Sequence, residues 1–349
     1  MARVVTVTDY GATGDGVTDD TTAITNAIAA LHAGGSMLVF PPGVYLTSGG
    51  FTLANPVKVV GAGRGNKTAS TGVSVIKCNH ATNSLFTITA LAGSFHGLDM
   101  VNVAATTPSN GAAVTVNGSG SARQQIDFSD CSVRGFYNNL DIQIGNFWSM
   151  HACLIGYAVN YGVKINNTVN PDAGDWAISN CVVDCGDIPW DGVVMPAGIR
   201  IEGSGGGKIV NTKINGTGER MNNGIDAALA NESTVILLIS NNSVENVKND
   251  GILISHTGTG FFKGIAIRGN QFGFWSGAHG NAPITISAEV AGSIAGVSIT
   301  DNLVIRAPNA PGINLTNVDN AYIGGNVNLE TTDMLAQTTC TNVSEGAIV

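Results

Sequence analysis

Two outward-facing carboxyl side chains on neighbouring strands are the strongest chemical feature of the sequence. In Gly198-Ile-Arg-Ile-Glu202 and Gly224-Ile-Asp-Ala227, apolar residues alternate with polar ones, as in a strand buried on one face. If the isoleucines point inward, Arg200, Glu202 and Asp226 point outward. Neighbouring parallel strands would then bring Glu202 and Asp226 within about 5–8 Å of each other at the backbone. A carboxylic acid and a carboxylate at such a separation are the pair that glycosidic-bond hydrolysis requires.

These residue types suggest a division of roles. We assign Glu202 as the general acid and Asp226 as the base or nucleophile, with Arg200 orienting both. Asp191 and Glu219, which lie in the loops, could replace either carboxyl group as catalytic residues. A purely structural interpretation is open as well, because Arg200 and Asp226 could form a cross-strand surface ion pair worth less than about 1 kcal/mol.

The loops around these strands supply candidate substrate-binding residues. The segment from Asp184 to Gly192 is an insertion that carries acids and a tryptophan, and insertions on one face of a repeat protein often form its binding site. The Trp190 ring could stack on a sugar, and Lys164 occupies the register of Arg200 one repeat earlier. The predicted substrate-binding residues are therefore Arg200, Lys164, Trp190, Asp187, Asp250 and His256, although for His256 a loop position without a role is the alternative.

A short repeat accounts for the strands that carry these residues. The pattern is an apolar residue, any residue, then Asn, Gly, Asp or Ala, then a small polar or thiol position, recurring about every thirty residues. Between these motifs runs a second strand of the type Gly-Ile-X-Ile, and a weaker third strand follows each motif. The small position forms a ladder whose side chains would stack about 4.8 Å apart, which suits hydrogen-bonded amides and packed thiols. Its members are Cys131, Cys153, Cys181, Thr212, Asn242, Asn270, Asn302 and Asn326.

Three strands per repeat predict an all-β fold, a single-stranded right-handed parallel β-helix of about ten coils. We expect residues 1–50 to form an N-terminal strand and a capping helix, 51–330 the helix body, and 331–349 a C-terminal cap or tail. A metal or redox site is the alternative for the cysteines, but stacking in register needs no metal, and no metal ligand is assigned.

Composition agrees with a solenoid and excludes several classes of function. Charged residues make up only 12% of the 349 residues, and the 46 glycines are nearly double the usual share. The hydrophobic content of 44% excludes a disordered chain. A net charge of −9 and a pI near 5.0 leave no basic patch for nucleic acid. No apolar stretch is long enough to insert into a membrane, and the sequence as given has no signal peptide.

The N-terminal segment resembles a known family. The resemblance rests on the turn-rich loop Asp9-Tyr-Gly-Ala-Thr-Gly-Asp-Gly-Val-Thr-Asp-Asp20, the pair Ala27-Ile28 and the segment Phe40-Pro-Pro-Gly-Val-Tyr45. This run is similar to the N-terminal signature of the pectate-lyase-like superfamily, common in bacteriophage tailspike depolymerases. Within it, the acids Asp15, Asp19 and Asp20 suit turn and helix-cap roles better than catalysis.

The resemblance implies an extracellular or virion-tail protein that acts on a polysaccharide, with a homotrimer expected if it is a tailspike relative. Such folds host several reactions. The favoured interpretation is an endo-acting polysaccharide depolymerase, a glycoside hydrolase on a bacterial surface or extracellular glycan. The first alternative is a lyase or epimerase of a uronate polymer, which would use Lys164 or Arg200 and could need calcium held by Asp184, Asp187 and Asp191. The second is a non-catalytic carbohydrate-binding adhesin or tail spike.

Overall fold

The computed structural model describes the backbone of most of the chain. The described residues are 3–65, 72–117, 125–143, 147–166, 175–186, 189–190, 192–203, 206–230, 236–257, 260–274, 281–306, 311–329 and 334–346. They fold as two compact units, Met1–Val163 and Lys164–Val349, with the boundary inside the strand Tyr161–Asn166. The segment boundaries expected near residues 50 and 330 stay predictions.

In the first unit, strands follow one another in rotation through three parallel sheets, so that each coil adds one strand to each sheet. Sheet A contains Arg3–Thr6, Ser36–Val39, Val57–Val60, Ala92–His96, Gln125–Ser129 and Trp148–His151. Sheet B contains Asp15–Asp19, Gly43–Thr47, Ser74–Cys78, Asp99–Asn102, Ser132–Arg134 and Leu154–Ile155. Sheet C contains Phe51–Leu53, Phe86–Ile88, Ala112–Val116 and Asn138–Ile142.

The second unit has the same three-sheet arrangement. Sheet A contains Trp176–Ser179, Gly207–Val210, Leu237–Ser240, Phe262–Arg268, Ile294–Thr300, Val318–Gly324 and Ser344–Glu345. Sheet B contains Val182–Asp184, Lys213–Asn215, Ser243–Glu245, Gln271–Gly273, Leu303–Arg306 and Val327–Asn328. Sheet C contains Met195–Gly203, Met221–Leu229, Ile252–His256, Ile284–Ala288, Ile313–Thr316 and Leu335–Thr338. All strand pairings between described residues are parallel, so the prediction of a parallel β-helix is confirmed.

The helical elements are short. The α-helix Thr21–Ala29 buries Ile24 and Ala27 and contacts the first strand of sheet A, while 3-10 turns span Val7–Tyr10 and Thr217–Glu219. The residue before the α-helix is Asp20, and its carboxylate accepts hydrogen bonds from the backbone N–H groups of Thr13 and Gly14 rather than capping the helix. No helix among the described residues is long and apolar enough to cross a membrane.

The predicted ladder is present as a line of buried amides in the second unit. The Asn242 amide nitrogen donates to Asn270 Oδ1 at 3.0 Å, Asn270 donates to Asn302 at 2.9 Å, and Asn302 to Asn326 at 2.9 Å. The same oxygens accept the backbone N–H of the preceding ladder residue, as in the bond from Asn270 N to Asn302 Oδ1. Cys131, Cys153 and Cys181 are buried and form no disulfide, and each thiol donates to the backbone carbonyl two residues before it.

The residue before each ladder position adopts a left-handed backbone conformation. Its φ is +53° at Asn180, +51° at Asn211, +55° at Asn241 and +57° at Asp301, with glycine at 269 and 325. Asn, Asp and Gly tolerate this conformation best. The turn geometry therefore explains why the repeat places Asn, Gly or Asp just before the ladder.

Candidate functional site

The outward face of sheet C in the second unit carries the predicted charged residues. Strands Met195–Gly203 and Met221–Leu229 pair so that Ile199 lies beside Ile225 and Arg200 beside Asp226. The isoleucines are fully buried, whereas the Arg200 side chain keeps 19% of its surface exposed and that of Asp226 keeps 13%. The register predicted for Arg200 and Asp226 is therefore confirmed.

A network of ion pairs joins four of these side chains. The Arg200 guanidinium contacts Asp226 Oδ2 at 2.7 Å and Glu202 Oε1 at 3.3 Å, and Lys164 Nζ lies 3.1 Å from Glu202 Oε2. Two cations thus face two carboxylates on a partly exposed surface. The simple interpretation of Arg200 and Asp226 as an ion pair is correct as geometry, and Arg200 also holds both carboxylates in place. Glu202, with 24% of its side chain exposed, is the more accessible of the two.

A third carboxyl group, Asp250, lies at the buried edge of this network. It precedes the strand Ile252–His256, and its residue surface is 5% exposed. Asn223 connects it to Asp226, because the Asn223 amide nitrogen donates to Asp226 Oδ2 at 3.4 Å and the Asn223 side-chain oxygen accepts the backbone N–H of Asp250 at 3.2 Å. Two neutral donors fix the Asp250 carboxyl group itself, the Thr285 hydroxyl at 2.5 Å and the Asn281 amide at 3.2 Å.

The environment of Asp250 favours its protonated form. Burial raises the pKa of Asp250 above its ordinary value, the hydrogen bonds from Thr285 and Asn281 partly oppose the rise, and the nearby charge of Asp226 adds to it. Asp226 has a cationic partner in Arg200, whereas the donors to the Asp250 carboxyl group are neutral. Adjacent carboxyl groups in unlike environments are the usual arrangement of an acid and its partner base.

Uncharged side chains, most of them polar, continue the outward face of sheet C beyond this cluster. Leu253, Thr285 and Asn314 follow Asp226 in register, and Ala228, Ser255, Ser287 and Thr316 follow Glu202. Hydroxyl and amide groups at regular spacing can hydrogen-bond to sugar hydroxyls. The charged cluster therefore borders a neutral polar surface.

His256 does not belong to this surface. It ends a strand in which Ile252, Ile254 and His256 point inward, and its residue surface is 1% exposed. Neither ring nitrogen has a hydrogen-bond partner among the described residues, and burial lowers the pKa of His256. The prediction that His256 binds substrate directly is wrong, because strand alternation places it in the core.

The loop candidates are only partly described. Asp187 and Asp191 lie outside the described residues, so their assignments stay predictions. Trp190 is half-buried, and Glu219 ends the turn Thr217–Glu219 with φ of +60°. Asp184 accepts hydrogen bonds from the Gly186 N–H and the Thr217 hydroxyl. Among the described residues no group of three or more His, Cys, Asp and Glu side chains is arranged to hold a metal ion.

Sequence reasoning missed Asn223 and Asn281 and did not recognise Asp250 as the buried carboxyl group. No motif marks these residues, since the contacts depend on how the turns before three successive strands approach one another. A weak signal was present: Asn223 and Asp250 each directly precede the glycine that begins a Gly-Ile strand. Residues at equivalent positions of neighbouring coils are expected to meet.

Comparison with protein families gives one match. Residues 4–170 match the family model described as rhamnogalacturonase A/epimerase, pectate lyase-like. The match covers slightly less than half of the chain and includes the N-terminal loop and helix.

Curated relatives match over a short segment. The mannuronan C5-epimerase AlgE1 of Azotobacter vinelandii is 49% identical over 67 residues, which are 17% of this chain and 5% of that protein. Alginate lyase 7 of the same organism is 48% identical over 67 residues, 17% of this chain and 8% of that protein. The matched segment is thus a small part of either relative.

Solved structures match over nearly the whole chain at low identity. The A-module of mannuronan C-5 epimerase AlgE4 from Azotobacter vinelandii superposes with a TM-score of 0.63 at 18% identity, covering 98% of this chain and 96% of the module. The tailspike protein gp49 of Acinetobacter baumannii bacteriophage Fri1, a capsular polysaccharide depolymerase, gives a TM-score of 0.59 at 11% identity, covering 97% of this chain and 63% of that protein. At these identities the structures establish the fold only. Together with the parallel sheet topology, they identify the fold of the chain as a right-handed parallel β-helix, and residues 4–170 are similar to the pectate-lyase-like family.

Proposed function

We propose that the protein is an endo-acting polysaccharide depolymerase that hydrolyses glycosidic bonds of a bacterial surface or extracellular glycan. The observation that supports this most strongly is the pairing of Asp250, whose pKa burial raises, with the arginine-bound carboxylate of Asp226. Hydrolysis needs one carboxyl group that still carries a proton and one that does not. The relatives named above act on polysaccharides, which agrees with the same class of substrate.

This proposal redistributes the roles expected from the sequence. Glu202 was assigned as the general acid, but its two carboxyl oxygens each form an ion pair, one with Arg200 and one with Lys164. Asp250 replaces it as the proton donor, Asp226 keeps the role of base or nucleophile, and Arg200 keeps the role of orienting residue. Glu202, the most exposed carboxylate of this face, accepts hydrogen bonds from substrate hydroxyls, and the Lys164 ammonium group donates hydrogen bonds to substrate oxygens.

Hydrolysis requires one carboxyl group that donates a proton to the leaving oxygen and one carboxylate that acts as base or nucleophile. Asp250 transfers its proton to the glycosidic oxygen as the bond from that oxygen to the anomeric carbon breaks. By one route, Asp226 attacks the anomeric carbon, and water then displaces Asp226 while the Asp250 carboxylate removes a proton from that water. By the other route, Asp226 itself removes a proton from the water that attacks the anomeric carbon. In both routes the water oxygen ends on the new reducing end. A carboxyl separation of about 5–5.5 Å gives retention, and one of about 6.5–9.5 Å gives inversion.

Lyase or epimerase action on a uronate polymer is the second candidate. The sequence match to mannuronan C5-epimerases and to an alginate lyase favours it. That reaction would need a base near the uronate C5 and a cation on the uronate carboxylate. Lys164 and Arg200 are the cations of this face, and both already contact protein carboxylates. Their engagement favours hydrolysis of a glycan that is not strongly anionic.

A depolymerisation assay with two readouts distinguishes these reactions. Purified protein is incubated with a panel of bacterial surface polysaccharides and with mannuronan, and new reducing ends and the ultraviolet absorbance of unsaturated uronate are both followed. Reducing ends without absorbance support hydrolysis. Absorbance identifies a lyase, and a change in uronate stereochemistry without cleavage identifies an epimerase.

Three variants test the assignment of residues. We expect Asp250→Asn and Asp226→Asn each to lower kcat by about a thousandfold, the typical contribution of general acid–base groups. Asp301→Asn is the matched control, because it makes the same change at a left-handed turn position where asparagine is tolerated. Full activity of Asp250→Asn would refute its role as the acid.

The tailspike neighbours support two further proposals about the same function. We place the protein outside the cell or on a virion tail, where a surface glycan is accessible, and expect a homotrimer. Analytical ultracentrifugation of the 35.7 kDa chain measures the second directly. A monomer that retains activity would show that the site is complete within one chain.

A further inference from the structure

A polar groove of about 450 Å³ lies on sheet C of the first unit. Its floor is formed by the outward side chains of four successive strands, and its wall by the turns that precede them, with Ser84 and Asn110 among the wall residues. A volume of this size falls within the range of small-ligand sites in proteins.

The floor is a column of side chains in strict register. Thr52 pairs with Thr87, Thr87 with Thr115, and Thr115 with Asp141. Three hydroxyls and a carboxylate therefore succeed one another at the strand spacing of about 4.8 Å. No described residue hydrogen-bonds to the hydroxyl of Thr52 or Thr87, so each has its donor and its acceptors available for a ligand.

The wall beside this column is rigid. The Ser84 hydroxyl lies 2.7 Å from the Thr115 hydroxyl and accepts the backbone N–H of Ala112 at 3.0 Å. Glycines let the turns approach closely, since a Cβ on Gly50 would lie 2.1 Å from the carbonyl oxygen of Ser84, and one on Gly111 would lie 2.4 Å from the backbone of Asn83. The groove is thus held in shape before any ligand binds, which lowers the entropic cost of binding.

The charge of the groove indicates what it excludes. Among the described residues that line it, Asp141 is the only charged one, and the Gln143 amide donates to it at 3.2 Å. With no lysine or arginine among its described lining residues, the groove offers no cationic partner there for a uronate, sulfate or phosphate group. Its hydroxyls and amides instead match the hydroxyl groups of an uncharged sugar, and the coil spacing is comparable to the length of one sugar residue.

We propose that this groove is a second carbohydrate-binding site, which takes an uncharged glycan segment laid across the strands at about one sugar residue per coil. The inference rests on the proposed function for the class of ligand, but its residues belong to the first unit and include none of the proposed catalytic groups. It implies that the substrate contains a stretch of neutral sugars.

Nuclear magnetic resonance of threonine methyl groups tests this directly. The probes are cellohexaose, maltohexaose and laminarihexaose as neutral chains and a mannuronan hexamer as the anionic chain, titrated into the Asp250→Asn protein so that none is cleaved. We expect saturable shifts of the Thr52, Thr87 and Thr115 methyl signals with at least one neutral hexamer and none with the mannuronan hexamer. Shifts with no neutral hexamer, or equal shifts with the anionic one, would overturn the proposal.

Single substitutions separate binding at the groove from indirect effects. Thr87→Val keeps the shape of the side chain and removes its hydroxyl, so we expect affinity for the neutral hexamer to fall about three- to tenfold, as for loss of one hydrogen bond. Thr300→Val, on sheet A of the second unit, is the matched control and should bind as the parent does. Because the methyl shifts report binding and each hexamer is checked for cleavage by mass spectrometry after the titration, a wrong catalytic assignment would appear as cleaved hexamer, and a failed titration would leave the cleavage assay unchanged.

Discussion

The outward face of sheet C is polar and nearly neutral in the first unit and charged in the second. In the first unit, the outward column of sheet C is Thr52, Thr87, Thr115 and Asp141, a groove with a single charge among its described lining residues. In the second unit, the corresponding face carries two cations and two carboxylates, with the buried Asp250 behind them. The backbone is equivalent in both, because alternation points every second residue outward. Sugar binding and bond cleavage can therefore be divided between units without any change of architecture.

The largest expected difference between the faces is in turnover. Replacing Arg200 with methionine removes the group that contacts both Glu202 and Asp226. We expect Arg200→Met to lower kcat about a hundredfold, as for loss of one preorganised electrostatic contact, measured as release of reducing ends. Arg64→Met, the same change at an exposed ion pair in the first unit, should leave kcat within about twofold. An Arg200→Met enzyme with parental kcat would show that the charged face is only structural.

Loss of Arg200 should lower the free energy of unfolding more than loss of the exposed Arg64. Arg200→Met leaves two partly buried carboxylates without their guanidinium, so we expect the free energy of unfolding to fall by about 2 kcal/mol. The ion pair of Arg64 with Asp130 leaves 37% and 47% of the two side chains exposed, and Arg64→Met should cost less than about 0.5 kcal/mol. Urea unfolding followed by circular dichroism measures both. Equal losses would mean that exposure does not distinguish the two pairs.

The raised pKa of Asp250 predicts how the charged face responds to pH. The proton donor is active only while protonated, so kcat should fall as the pH rises through the raised pKa of Asp250. The free energy of unfolding changes with pH in the same direction. The contribution of Asp250 to it is fully present below the ordinary pKa of 3.8 and is lost as the pH rises through the folded-state pKa. Asp250→Asn should remove the alkaline loss of stability. A pH profile of unfolding that this variant leaves unchanged would contradict the assignment.

The smallest expected difference lies in two histidines, one in each unit. Burial lowers the pKa of both His80 and His256 from the ordinary 6.5. The unfolded chain then binds protons more readily than the folded one, so stability is fully present above pH 6.5 and declines as the pH falls below it towards the folded-state pKa values. Only His256 is buried to 1% exposure, so His256→Phe should flatten this decline more than His80→Phe. Unfolding measured on either side of pH 6.5 checks the order.

The periodic part of the molecule could be predicted from the sequence, and the aperiodic part could not. The ladder, the Gly-Ile strands and the register of Arg200 with Asp226 all follow from a repeat whose residues are visible in the sequence. The burial of Asp250 and its link through Asn223 depend on turns whose length and conformation differ from coil to coil. Periodicity contains no information about such contacts.

His256 shows that the polarity of a side chain can suggest a binding role for a core residue. The alternation of Ile252 and Ile254 already placed it inward, but its polar ring suggested a ligand-binding role instead. The backbone of a strand points successive side chains to opposite faces, and this holds for polar residues as well. A histidine at an inward position is a core residue unless a turn displaces it.

The asparagine ladder has a consequence for how this chain can change in length. Each amide donates towards the next coil and accepts from the one before, so every interior asparagine presents the same pair of surfaces to its neighbours. A coil that is duplicated or deleted as a whole would rejoin donor to acceptor with no bond left unmade. In the second unit, a whole coil is therefore the smallest insertion or deletion that leaves every hydrogen bond of the ladder in place.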